Sequence, residues 1–324
     1  MVMGKVRCIV GKVFRAAAMV AFILSVAVVG EAGRQADRLL TNAVATRRVP
    51  TLTPKDFGLP YREVAVTTGD GLRLSGWYVP GSNGALVILQ HGYKSQRGEM
   101  LHQAQILAHH GYALLISSIR GHDRSDGERI SFGLKEMADM DAWFRYAQSL
   151  PGVSPDRIGL LGNSLGGVLA IQYAAANRAV RAVVAHSAFS SLADTIALSV
   201  RHYTGLPPFP FAPLIRYWAE YRLGSDIAEV DATRWIGRLS PRPVLLLQGG
   251  QDRVVQPGSG ERLYVAAGQP KFLWYEPALG HAAFDSALPE VYERRVAGFL
   301  DCYLEDRSRT QASNCAAGNG WQMP

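Results

Sequence analysis

Residues 157–167 read Arg157-Ile158-Gly159-Leu160-Leu161-Gly162-Asn163-Ser164-Leu165-Gly166-Gly167. Residues 157–162 form a short, nearly continuous apolar run, and residues 165–177 follow as an alanine-rich helical stretch. Between them stands a serine flanked at two residues on each side by glycine. In a chain with 33 glycines that pattern alone is a weak signal. Its setting gives it meaning. A strand that turns sharply into a helix exposes the serine Oγ at the tip of the turn, and small flanking residues let strand and helix approach closely.

The same alternation extends outward in both directions. Residues 85–90, 112–117, 182–186, 243–248 and 271–276 are short apolar runs of strand length. Helical spacing separates them at residues 99–110, where Gly111 reads as the C-terminal cap, at Met137, Met140, Trp143, Phe144 and Ala147, at 259–267 and at 291–304. Strands that are apolar throughout and alternate with helices imply an α/β fold, with a mostly parallel sheet covered by helices on both faces. Residues 61–67 and 72–79 instead alternate polar and apolar about Gly69-Asp70-Gly71. They read as an N-terminal antiparallel hairpin.

Residues 190–240 break the alternation. They carry Pro207-Pro208-Phe209-Pro210-Phe211-Ala212-Pro213, then Tyr217, Trp218, Tyr221 and Trp235. Their length and aromatic content predict a short helical cap over the C-terminal edge of the sheet; the plainer reading is a long connection with two helices.

A serine hydroxyl is a weak nucleophile and needs a base, which in turn needs an orienting acid. After a strand–serine–helix turn the expected chain order is serine, acid, histidine. Only His186, His202 and His281 follow Ser164. His186 falls in a strand and His202 in the cap, so His281, in the turn Leu279-Gly280-His281, is the candidate base. Asp194, Asp226 and Asp231 fall in the cap. Asp252 follows the 243–248 strand through Gly249-Gly250-Gln251 and is the candidate acid, although alone it could be a plain turn residue. The oxyanion of an acyl-transfer intermediate needs backbone N–H donors. Leu165, next to the nucleophile, and Tyr93, in the turn Gln90-His91-Gly92-Tyr93, are assigned to it. His91 reads as structural. Arg120-Gly121-His122-Asp123 reads as buried ion pairing rather than anion binding. Neither a dinucleotide nor a phosphate-binding glycine loop occurs, and the histidines and cysteines show no metal-ligand spacing, so neither cofactor nor metal is expected.

A net charge of +7 is compatible with nucleic-acid binding, but its distribution argues against it. Residues 1–48 hold eight basic side chains against the two acids Glu31 and Asp37, and the rest of the chain holds 26 basic and 25 acidic residues. A near-neutral body is a poor footprint for nucleic acid. Lys5, Arg7, Lys12 and Arg15 precede the apolar residues 16–30, the order of a signal peptide or an N-terminal membrane anchor. Residues 1–32 are expected to be that segment, or else a buried helix of the domain, and 33–60 a linker broken by Pro50, Pro54 and Pro60. Residues 61–304 are expected to form the main domain and 305–324 a tail. Either targeting reading puts the main domain outside the cytoplasm. Of the three cysteines, Cys302 and Cys315 could pair in an oxidising compartment, or Cys302 could be buried and free.

The chain resembles the α/β-hydrolase superfamily over residues 60–304. The matching residues are Gln90-His91-Gly92-Tyr93, Arg120-Gly121-His122, residues 162–167, the 249–252 turn and Gly280-His281. The short cap and apolar N-terminus are similar to the membrane-anchored BEM46-type and serine aminopeptidase-like groups. The resemblance implies hydrolysis of an ester, thioester or amide through an acyl-enzyme, with an esterase-like activity on a small or apolar acyl substrate, and no cofactor. Acyl transfer, peptide hydrolysis and non-catalytic binding on the same scaffold are the other readings. Two positions depart from the pattern of many relatives. Ser118 stands where they have Asp, and Asp123 where they have Gly.

Overall fold

The computed structural model describes the backbone of residues 2–304, with side chains from Lys12 onward except at positions 202 and 203. Eight strands form one sheet: β1 (Arg62–Thr67), β2 (Arg73–Val79), β3 (Leu86–Gln90), β4 (Ala113–Ser117), β5 (Ile158–Asn163), β6 (Val180–His186), β7 (Val244–Gly249) and β8 (Lys271–Glu276). Their order is β1-β2-β4-β3-β5-β6-β7-β8. β1 pairs antiparallel with β2, and β2 with β4; every later pairing is parallel. The hairpin and the parallel sheet both agree with the sequence reading.

The strands feed two cores because their side chains alternate between faces. Along β3, Leu86 and Ile88 join one core, and Val87 and Leu89 join the other. The helix α1 (Val2–Ala45) is treated below; α2 (Leu101–His109) and the closing helix Gly298–Leu304 cover the second face. The helices α3 (Glu136–Gln148) and α4 (Leu165–Ala176) cover the first. Such strands cannot alternate hydrophobic and polar, which is why they read as unbroken apolar runs.

The insertion leaves the sheet after β6 and returns before β7. A bridge between Ser191 and Asp231 and the bonds Leu192 N–H to Val230 O (3.0 Å) and Ala232 N–H to Ser190 O (2.9 Å) close its base. Within it lie α5 (Leu192–Ser199) and α6 (Pro208–Leu223), whose Phe211, Ala212, Ile215 and Ala219 are buried. The backbone kinks at Phe209 (φ −101°, ψ 133°), so the regular helix runs on only after it, and Gly224, at φ 66°, ends it.

The N-terminal region departs from the expected boundary at residue 32. α1 is one helix of 44 residues, so residues 33–45 are helix rather than linker. No proline occurs before Pro50, and nothing else in the sequence stops the helix earlier. The anchor-like and buried readings divide the helix between them. Val13, Phe14, Met19, Val20, Phe22, Ile23, Leu24 and Val26 are exposed, whereas Ala32, Ala36, Leu40 and Ala43 are buried in the first core. Small residues let α1 lie close to α6: an added Cβ on Gly33 would stand 3.6 Å from the Trp218 indole. Arg222 donates to Asp37 at 2.9 Å across the same contact. By length and composition the exposed part of α1 could cross a membrane.

Cys302 is buried and disulfide-bonded. Cys315 and the 305–324 tail lie outside the described residues, as does the side chain of Cys8.

Candidate active site

Ser164 sits between the end of β5 and the first turn of α4 with φ 52° and ψ −116°. A non-glycine residue in that region is strained, and here the packing imposes it. A Cβ on Gly162 would lie 2.2 Å from the Gly166 carbonyl, and one on Gly166 would lie 2.2 Å from the Gln90 carbonyl oxygen. Any side chain at either position would push α4 off the strands. The Ser164 N–H donates to His186 O at 2.8 Å, which ties the turn to β6.

Asp252 and His281 come together from separate loops. Gln251 N–H donates to Leu279 O at 2.9 Å, and a Cβ on Gly249 would clash with Leu279 O at 2.4 Å. The two loops are therefore held in direct backbone contact. His281 Nδ1 lies 2.7 Å from Asp252 Oδ2. The carboxylate accepts, so Nδ1 carries the proton and Nε2 is left as the base. Asp252 Oδ1 accepts from the N–H groups of Val254 and Val255, each at 2.9 Å. Burial pushes its pKa up, but the His281 bond and charge and the two amides outweigh burial and hold the carboxyl below its ordinary value. The Asp252 side chain is 2% exposed and that of His281 is 23% exposed, so the acid is sealed while the base can reach substrate. The next residue, Ala282, donates its N–H to Ser187 Oγ at 3.1 Å. Ser164 hangs on His186 and the His281 loop hangs on Ser187, so adjacent residues at the end of β6 bring the two loops to one place. Among the described residues Ser164 Oγ makes no hydrogen bond, and none joins it to His281.

The 90–93 turn borders the nucleophile. A Cβ on Gly92 would stand 3.3 Å from Ser164 Cβ. Leu165 is the first residue of α4, where the N–H has no partner within the helix. Glu99 joins the two loops: Oε1 accepts from Asn163 Nδ2 (2.9 Å) and Oε2 from Gly92 N–H (3.2 Å). Sequence reading missed this carboxylate, since no motif marks it. Tyr93 Oη donates to Leu39 O at 2.8 Å, so α1 also braces this turn.

Three histidines near the site are structural. His91 Nδ1–H donates to Gly92 O (2.7 Å) and Nε2 accepts from Ser118 Oγ (3.3 Å), and burial pulls its pKa down to about 4. Burial, with repulsion from His91, holds His122 at about 3. His186 is wholly buried against Phe284 and Tyr292, and burial, with repulsion from His281, holds it at about 3. Arg120 forks onto Asp139 (2.6 Å) and Asp70 (2.8 Å), the structural pairing expected. Asp123, where many relatives have glycine, does adopt φ 50°, and its carboxylate pairs with the buried Arg97 at 2.8 Å. The pair thus stands at a backbone conformation glycine would adopt freely. No group of three or more His, Cys, Asp or Glu among the described residues could hold a metal ion.

A mostly parallel sheet, a strained serine at a strand–helix turn and an aspartate–histidine pair at later strand ends define the α/β-hydrolase class. Comparison with known proteins places the chain more closely. The family of X-Pro dipeptidyl-peptidases (S15) matches residues 63–204. An uncharacterised Mycobacterium tuberculosis protein, Rv2307c, is 33% identical over 239 residues, covering 72% of this chain and 75% of that one. The bem46 protein of Schizosaccharomyces pombe is 26% identical over 264 residues, 76% of this chain and 79% of its own. The esterase Pf2001 of Pyrococcus furiosus superposes with a TM-score of 0.69 at 27% identity, over 80% of this chain and 97% of that chain. The chain belongs to the α/β-hydrolase superfamily, in its BEM46-like group.

Proposed function

We propose that the protein is a serine hydrolase that cleaves an ester, thioester or amide through an acyl-enzyme, with an esterase-like preference for a small or apolar acyl group. The observation that carries this reading is the 2.7 Å Asp252–His281 pair, held in the chain order and at the strand ends where it can serve Ser164. Ser164 Oγ attacks the acyl carbon while His281 Nε2 takes its proton. Asp252 holds the imidazole in the Nδ1–H form and stabilises the imidazolium. The amides of Leu165 and Tyr93 donate to the oxyanion. The proton then passes to the leaving group, the ester, thioester or amide bond breaks, and water attacks the acyl-serine by the same route.

The preference for ester over peptide rests on the Pyrococcus furiosus esterase, whose similarity covers 80% of the chain, whereas the S15 match ends at residue 204, before Asp252 and His281. That match nevertheless favours peptide hydrolysis as the second reading. We further propose that α1 anchors the enzyme in a membrane. Lys12 and Arg15 precede the exposed apolar segment, so the N-terminus stays in the cytoplasm and the catalytic domain lies outside it.

Fluorophosphonate labelling of the full chain in detergent tests the catalytic assignment. Wild type should label and Ser164→Ala should not. A folded wild type that fails to label, or a Ser164→Ala protein that still labels, would refute it.

A further inference from the structure

α6 and α1 run in the same direction at a fixed register. Trp218 lies against Gly33, and Arg222 binds Asp37, both at an offset of 185 residues. Two contacts one helical turn apart at one offset make the pair parallel. Val28, a further turn toward the N-terminus, still packs against the core. Carried on along the regular helix, the register brings Pro213 alongside Val28, and Phe209 stands beyond it, on the kinked segment at the end of α6 that faces the exposed apolar part of α1.

The outer face of α6 suits that position. Along the regular helix Pro213, Tyr217 and Tyr221 recur at intervals of four and are exposed, Tyr217 at 60% and Tyr221 at 71%; Phe209, in extended backbone (φ −101°, ψ 133°) at the kink before it, is exposed at 81%. No charged residue stands on this stripe. The flanking charges, Arg216, Glu220 and Arg222, are engaged in ion pairs with Glu220, Asp226 and Asp37. The exposed side chains grade from Phe209 and the prolines at the kinked N-terminal end to tyrosines one and two turns below Pro213. That is the order of side chains met on leaving hydrocarbon for the headgroup layer.

The length of α1 points the same way. Fifteen uncharged residues separate Arg15 from Glu31. At about 1.5 Å per residue they span about 22 Å, less than the roughly 30 Å of a bilayer core. A span this short leaves no spacer, and the domain must lie directly against the membrane. The helix continues unbroken into the buried Ala32–Ala43 stripe, so the domain cannot swivel about it.

We infer that the tip of α6, residues 207–213, is a second membrane contact: Phe209 enters the acyl region of the bilayer beside α1, and Tyr217 and Tyr221 lie at headgroup level. The partner is the lipid bilayer itself. This inference rests on the reading of α1 as a membrane span and is independent of the catalytic chemistry.

The test uses the full chain in phosphatidylcholine–phosphatidylglycerol vesicles, with p-benzoylphenylalanine placed singly at Phe22, Phe209 or Asp156. Phe22 lies in the apolar part of α1. Asp156 is exposed in the turn before β5, at the opposite end of the sheet. After irradiation, mass spectrometry reads the adducts. Lipid adducts at positions 22 and 209, and none at 156, are expected. Lipid at 22 without lipid at 209, crosslinking of 209 only to a second copy of the chain, or equal lipid adducts at 156 and 209 would overturn the inference while leaving the anchor in place. The absence of lipid at 22 would instead refute the anchor and the inference with it.

Discussion

The floor of the site and its roof are built by different means. The floor is the row of strand ends after β3, β5, β6, β7 and β8. Backbone atoms in close contact position it: Gly162 on Gly166, Gly166 on Gln90, Gly249 on Leu279. The roof, the helical insertion between β6 and β7 with the buried half of α1, packs on the first core. Side chains hold it: Trp218 on Gly33 and Arg222 on Asp37, each 185 residues apart, and Tyr93, from the turn after β3, on the Leu39 carbonyl 54 residues away. A floor set by backbone contacts tolerates almost no change, which suits a catalytic geometry that fails when displaced by 1 Å or so. A roof set by side-chain contacts can vary without disturbing the geometry at the strand ends.

The sharpest way to break this contrast is Asp252→Asn in the floor. Removing the negative charge and the acceptor for Nδ1–H should lower kcat by about 10³- to 10⁴-fold with little effect on the melting temperature, measured on a soluble ester. A decrease below tenfold would mean that another group orients His281.

The floor also seals three histidines. Each has a folded pKa depressed by burial, His91 to about 4 and His122 and His186 to about 3. A depressed histidine stays neutral when folded and takes up a proton when unfolded. Its contribution to stability is therefore complete above the unfolded value near 6.5 and is lost as pH falls toward the folded values. Three such groups give a slope of up to about 4 kcal/mol per pH unit below pH 6. Urea denaturation at pH 7 and pH 5 should show a large loss, and a flat profile would contradict the sealed floor.

Gly166→Ala should come next. Its methyl group meets backbone on three sides rather than a flexible side chain, so a cost of about 3 kcal/mol or more is expected, with loss of fluorophosphonate labelling. The smallest effect belongs to the seam between floor and roof. Tyr93→Phe removes one hydrogen bond to α1, worth about 1 kcal/mol. The amide of residue 93 is retained, so kcat should change by less than tenfold. A larger loss would show that the roof also sets the chemistry.

The same contrast explains what was legible in the sequence. The strands of the floor read as unbroken apolar runs because both faces are covered, and the Ser164, Asp252 and His281 turns follow them directly. The roof was legible only as proline- and aromatic-rich composition. The buried stripe of α1 is mostly alanine, with Arg34, Asp37 and Arg38 interspersed, so its periodicity carries little hydrophobic contrast. Its partner α6 lies too far along the chain for any local pattern to reveal. Glu99 was hidden for a similar reason: it acts on Asn163, 64 residues away, from a short turn with no motif. Asp123 was visible as a departure, but only the left-handed backbone and the Arg97 pair explain it.

The most direct test of the account is to trap the acyl-enzyme. The full chain in detergent would be exposed briefly to p-nitrophenyl butyrate, acid-quenched, digested and mapped by mass spectrometry, with wild type beside His281→Ala. The account predicts a butyryl adduct on Ser164 in the wild type and a strongly reduced rate of its formation in His281→Ala. Turnover of the ester with no adduct on Ser164, or an adduct on a different residue, would contradict it.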